Sequence, residues 1–105
     1  MSEYCVCLIT ASSPQEARNL AYGLVESGLA ACVSRVPEVT SVYSWMGKVE
    51  EAGEILLIAK TTSTHLQGLI DKVKELHSYD VPEVVALPIV GGNPGYLRWI
   101  DESVR

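Results

Sequence analysis

The sequence predicts one α+β domain in which a small antiparallel sheet carries helices on one face. Three observations carry that reading. Two stretches place apolar residues at three- and four-residue spacing, as amphipathic helices do. Two short runs rich in β-branched residues read as strands. Between the helices lies a long segment that alternates with period two and folds back at a glycine. The chain of 105 residues is long enough for one sheet, two or three helices and a modest core, so residues 1–105 form a single domain.

The first element is "YCVCLITA", Tyr4 to Ala11, a buried strand by its continuous apolar character. A helix follows. Ser13 is its N-cap, Pro14 suits the first helical position, and Glu16 completes an S-x-x-E capping box. Ala17, Leu20, Ala21, Leu24 and Val25 mark its inner face, and Gly28 supplies the stop. In the hairpin, Val39, Ser41, Tyr43 and Trp45 alternate with Thr40, Val42, Ser44 and Met46. Its turn centres on Gly47 and its return arm runs through "EILLIAKT". Pro37 cannot donate to a ladder and so marks a bend, bulge or edge. Each arm exceeds the usual strand of about five or six residues, so the hairpin overhangs a body this small.

The second helix is "STHLQGLIDKVKELH", with Ser63 as its cap and Leu66, Leu69, Ile70, Val73 and Leu76 as its apolar stripe. "EVVALPIV" reads as a further buried strand, with Pro88 again implying a bend or edge. Asn93 and Pro94 open a short last helix. The order β-α-β-β-α-β-α, with two right-handed crossovers interlocked around an antiparallel hairpin, is a ferredoxin-like βαββαβ sandwich with an extended hairpin and a C-terminal helix. The second sheet face and the hairpin edges need cover, which pairing between protomers supplies.

Composition narrows the function. Hydrophobic residues make up 48% and charged residues 20%, which argues against disorder. A net charge of −5, with 8 basic residues in no run or patch, excludes a nucleic-acid partner. The opening "MSEYCVCLITASS" has Glu3 where a secretory leader has a basic start, and no apolar run spans a membrane. Three cysteines without such a leader point to reduced thiols in the cytoplasm.

Chemistry-bearing residues concentrate in "KELHSYDVPEVVALPI", where His77, Tyr79, Asp80 and Glu83 join a helix to a strand. His77 ends the helix beside its apolar stripe, a position suited to capping as well as to ligation. Asp80 suits a turn, and Glu83 needs a partner that Lys60 on a neighbouring strand can supply. Cys5 and Cys7 share one strand face ~7 Å apart, too far to share a metal in regular geometry, and read as core. Cys32 enters the second strand as a structural thiol or a soft ligand. Tyr43 and Trp45 share a hairpin face, and their first reading is an inter-subunit contact. The "GGN" turn is a weak anion-site signal. No nucleophile–base–acid set, GxxxxGK[ST] or GxGxxG motif is present, so the chain is read as no enzyme.

"GLAACV", "VTSVYSWMGKVEEAGEILLIAKTT", "ELHSYDVPEVVALPI" and "GNPGYLRWI" follow in an order and spacing that resemble the CutA family of divalent-cation tolerance proteins across essentially the whole chain. The resemblance implies a ferredoxin-like protomer, a tight homotrimer joined by strand pairing, and a kinship in fold with PII-type signalling proteins. It also implies divalent-cation binding, copper(II) first, with His77 as imidazole ligand and Glu83 and Cys32 beside it. The chain departs from the family pattern at Ser78, where many members have proline, and at Leu76, where some have a second histidine. The alternative is a signalling or interaction module whose inter-subunit cleft, lined by Trp45, Lys60, Tyr79 and Glu83, takes a small ligand.

Overall fold

Alternating burial makes Tyr4–Ala11 (β1) the centre of the sheet. Cys5, Cys7 and Ile9 point to the helices and are buried, while Val6 and Leu8 face the other way and are half-covered. The computed structural model describes residues 3–105, so Met1 and Ser2 of the leader argument lie outside the described residues. After β1 come α1 (Pro14–Glu26), β2 (Cys32–Trp45), β3 (Lys48–Thr62), a short 3₁₀ turn (Ser63–His65), α2 (Leu66–Leu76), β4 (Val84–Pro88) and α3 (Pro94–Ser103). The sheet order is β2-β3-β1-β4, and every neighbouring pair is antiparallel. This is the predicted α+β architecture.

α1 starts where its caps dictate. Ser13 Oγ accepts from the Glu16 N–H at 3.1 Å, and Pro14 occupies the first turn. The Glu16 carboxylate reaches one residue farther back than a simple capping box, to the Ser12 N–H at 2.9 Å. The helix stops at Gly28, whose φ of 76° is the left-handed C-terminal conformation. Arg105 seals that end, its N–H on the Gly28 carbonyl at 2.9 Å and its Nη2 on the Glu26 carbonyl at 2.7 Å. A Cβ at Gly28 would run into the Arg105 side chain.

The hairpin turns on Met46 and Gly47, with φ of 49° and 78°, so the two-residue loop is of the primed kind whose twist matches its strands. The register slips between Val36 and Val39, which is where Pro37 cannot donate. β1 pairs with β3 only from Ile55 to Thr62. The rest of β3, Lys48 to Glu54, has β2 as its strand partner and projects as a two-stranded ribbon, which makes the molecule 44 Å long and 25 × 23 Å across.

The core lies between the sheet and its two crossover helices. Leu20 and Leu24 of α1 and Leu69 and Val73 of α2 meet Cys7, Ile9, Leu57 and Ala59 of the strands. A second, smaller cluster joins Ile100 of α3 and Val104 to Ala31, with Tyr4 and Leu97 against it. Two expectations are corrected. Ser63 does not cap α2; it opens the 3₁₀ turn that leads in, and Thr62 Oγ1 instead bonds His65 Nδ1 at 2.6 Å. β4 is not buried within the chain, since it is the sheet edge and Val85 and Leu87 are 49% and 52% exposed. An apolar run records that a strand will be covered, and it does not say whether by the same chain.

Cys5 and Cys7 are both core residues, buried on the helix-facing side of β1 as free thiols. Burial first, and then Cys5 beside it, pushes the Cys7 thiol up to about 12. A thiol reagent at pH 8 should therefore label Cys5 and Cys7 only at the rate of unfolding. Rapid native labelling of both, read by mass spectrometry, would contradict the buried strand.

Candidate functional site

The segment from His77 to Glu83 leaves the end of α2 and enters β4, and a polar knot holds it in place. The His77 N–H closes α2 on the Val73 carbonyl at 2.9 Å. The ring itself is fully buried. Its Nε2 lies 2.7 Å from the Thr10 carbonyl, and its Nδ1 accepts from the Tyr79 N–H at 3.0 Å. A carbonyl only accepts, so Nε2 carries the proton and the imidazole is the neutral tautomer. No lone pair is left for a metal.

Glu16 completes the knot from the other side. Oε1 takes the Ser12 N–H at 2.9 Å and the Ser12 hydroxyl at 3.0 Å; Oε2 takes the Ser78 N–H at 2.9 Å. His77 Nε2 is 3.5 Å away. Burial acts to raise the Glu16 pKa, but the hydrogen bonds from Ser12 and Ser78 outweigh it and lower the value to about 2. The carboxylate thus joins the end of β1 and the start of α1 to the segment after α2.

Held this way, Tyr79 stacks beside His77 with ring centroids 4.7 Å apart and sends its hydroxyl to Glu54 Oε2 at 3.1 Å. Burial raises the Tyr79 pKa, and the Glu54 carboxylate raises it further, so the phenol remains a donor. Glu54 is 8% exposed and sits on β3 where the ribbon leaves the body. Around this pair opens a cleft of about 790 Å³ between the hairpin and the 77–83 segment. Ser41, Tyr43 and Trp45 wall one side, Asp80, Val81 and Glu83 the other, and Thr10 and Glu54 lie between. A volume of this size suits a small organic ligand.

The structure sorts the predicted residues into three places. Trp45, Tyr79 and Glu83 line the cleft together. Lys60 does not join them, because its register sets it opposite Val6 and Cys32, six residues along β3 from Glu54 and so about 20 Å away. It cannot pair with Glu83 for the same reason, and its ammonium lies 3.2 Å from Ser34 Oγ and 3.8 Å from Cys32 Sγ. Of the expected metal ligands, His77 is in the knot, Glu83 on the cleft rim and Cys32 near Lys60 and Tyr96. These three do not converge. Among the described residues no group of three His, Cys, Asp or Glu side chains is placed to hold a metal ion. Sequence reasoning missed Glu16 as the tie and Glu54 as the floor of the cleft. Glu54 reads there as one more acid in "EEAGE", and only the register and the Tyr79 hydroxyl single it out.

Comparison with known proteins adds four findings. The family model of the CutA1 divalent ion tolerance proteins matches residues 5–103. A divalent-cation tolerance protein CutA of Thermus thermophilus is 52% identical over 98 residues, covering 93% of this chain and 95% of that one. A CutA homolog of Xenopus laevis is 46% identical over 91% of this chain, which spans 64% of the longer animal protein. A solved structure of the Thermus thermophilus divalent cation tolerance protein superposes with a TM-score of 0.96 at 50% identity, covering 97% of this chain and 99% of that one.

The knot generates a pH prediction. The folded-state pKa of Glu16 lies below its ordinary value of 4.5, so its stabilisation is fully present above pH 4.5 and is lost as pH falls toward about 2. Glu16→Gln should lower stability at pH 7 by about 2–3 kcal/mol. It should also flatten the acid limb between pH 4.5 and 2 in urea melts. An unchanged acid limb would mean the carboxylate is not the tie.

Proposed function

The chain belongs to the CutA1 divalent ion tolerance family, and we propose that it serves cation tolerance as a homotrimeric, cytoplasmic binding module rather than an enzyme. The working surface in this reading is the cleft between the hairpin and the 77–83 segment. One observation carries it: Glu54 is a buried carboxylate at the base of an open cleft, held by the phenol of Tyr79 and entering no ion pair among the described residues. A buried charge without a counter-charge is costly, and a positively charged occupant would offset that cost.

The trimer is supported by the surfaces that one protomer leaves open. The sheet face away from α1 and α2 presents Val85 and Leu87, and the projecting ribbon presents Val49 at 79% exposure. β2 and β4 are both edges. Joining copies through these edges covers backbone and apolar side chains at once.

A second reading keeps a divalent cation, copper(II) included, as the direct ligand. It is favoured by the charge of the cleft, whose ionisable lining residues besides tyrosine are the acids Glu54, Asp80 and Glu83. Oxygen donors at Asp80 and Glu83 would then hold the ion, with His77 taking no part because both ring nitrogens are engaged.

Two measurements test these proposals. Sedimentation at micromolar concentration should give a particle of three 11.4 kDa chains, and a stable folded monomer would overturn the assembly. In copper titration calorimetry, His77→Ala should leave affinity within about twofold of the parent, and no more altered than His65→Ala, while costing about 1–3 kcal/mol of stability from the lost buried hydrogen bonds. A tenfold loss of copper affinity with the trimer intact would restore His77 as a ligand. Asp80→Asn with Glu83→Gln should weaken copper binding by at least tenfold if the second reading holds.

A further inference from the structure

We propose that the cleft is a site for an organic cation, a protonated amine or guanidinium carried on an apolar or aromatic body. The inference rests on the cleft reading above and adds the chemical class of its occupant. Three independent features converge on that class.

The first is charge. Glu54, Asp80 and Glu83 line the cleft, and no lysine, arginine or histidine does. Glu54 is the decisive one, because it is more than nine-tenths buried and its carboxylate has a neutral phenol for a partner. The phenol orients the carboxylate without neutralising it. A cation entering the cleft meets a fixed charge in a setting where water screens it poorly.

The second is the walls. Tyr43, Trp45 and Tyr79 line the cleft and are 43%, 61% and 40% exposed, so their ring faces are not consumed by packing within the chain. Aromatic faces attract cations through the ring quadrupole, tryptophan most strongly. The same rings, with Val42 and Val81, offer apolar surface for a carbon skeleton. A hydrated metal ion gains nothing from them.

The third is rigidity. Tyr79 does not have to be recruited on binding. Its backbone N–H is fixed on His77 Nδ1, its neighbour Ser78 on Glu16, and its hydroxyl on Glu54. One wall and the anionic floor are therefore preset, which lowers the ordering cost of binding.

The test uses the full chain as its native assembly, in a Trp99→Phe background so that fluorescence reports Trp45 alone. Four probes built on one phenyl ring are titrated: benzylammonium, phenylguanidinium, neutral benzyl alcohol and anionic phenylacetate. The expected result is that both cations quench Trp45 and bind at least tenfold tighter than benzyl alcohol, with phenylacetate weakest. Glu54→Gln should abolish that preference, Glu83→Gln should reduce it severalfold, and Trp45→Leu, read by calorimetry, should weaken both cations at least fivefold. Glu83→Gln keeps the test decisive if Glu54→Gln does not assemble. Equal or tighter binding of benzyl alcohol or phenylacetate in the cleft would overturn the cationic class while leaving the cleft reading intact. Binding of magnesium or copper ions that needs Glu54 and ignores Trp45, with both organic cations silent, would assign the cleft to an inorganic ion and overturn the proposal. Silence from every probe and ion would overturn both readings and mark the cleft as covered by a neighbouring copy.

Discussion

One carboxylate sets the geometry on which the rest depends. Glu16 sits in the first turn of α1, where the helix dipole already favours a negative charge. It uses that place to gather N–H and O–H groups from Ser12 and Ser78, two points 66 residues apart in the chain. Beside it His77 links the Thr10 carbonyl to the Tyr79 N–H. The path from α2 to β4 is thereby pinned to the end of β1. Without that anchor the Tyr79 ring would keep only its hydroxyl contact to Glu54, and that wall of the cleft would lose its backbone support. Both ring nitrogens of His77 are taken up by hydrogen bonds, and Tyr79, Asp80, Val81 and Glu83 after it line the cleft.

The sheet follows a second constraint, that each of its faces must be covered. α1 and α2 cover one face with Leu20, Leu24, Leu69 and Val73. α3 packs near one end of the body, through Ile100, Leu97 and Tyr4. Beyond it, Val85 and Leu87 are half-exposed and the ribbon's Val49 is exposed, so the described residues leave these surfaces open. The same ribbon that needs partners also carries Tyr43 and Trp45 to the cleft. The proposed assembly and the proposed binding site thus share one element, because the ribbon is also one wall of the cleft.

The charge distribution fits a member of a divalent-cation tolerance family. The chain is net acidic, its cleft is acidic, and its candidate ligands of softer chemistry are placed elsewhere. His77 is saturated with hydrogen bonds, Cys5 and Cys7 are sealed in the core, and Cys32 has Lys60 close by. An ammonium next to the sulfur opposes the approach of a metal ion.

Local physical rules made much of the fold legible in the sequence. Ser13, Pro14 and Gly28 bracket α1, Met46 and Gly47 turn the hairpin, and Pro37 marks the slip in its register, because caps, turns and ladder donors depend on residues close in sequence. The apolar run of β1 and the stripe on α2 likewise located the core, and four collinear motifs pointed to the family. The site was legible only in part. Trp45, Tyr79 and Glu83, expected in a cleft between protomers, line a cleft within one chain that Lys60 does not reach, and Glu16 and Glu54 were overlooked. Those decisions rest on strand register and on side chains meeting across long separations, which no local pattern encodes. A glutamate's role is set by which donors arrive at its oxygens. For Glu16 these are Ser12 and Ser78, and for Glu54 it is a phenol 25 residues along the chain, brought there only by the folded structure.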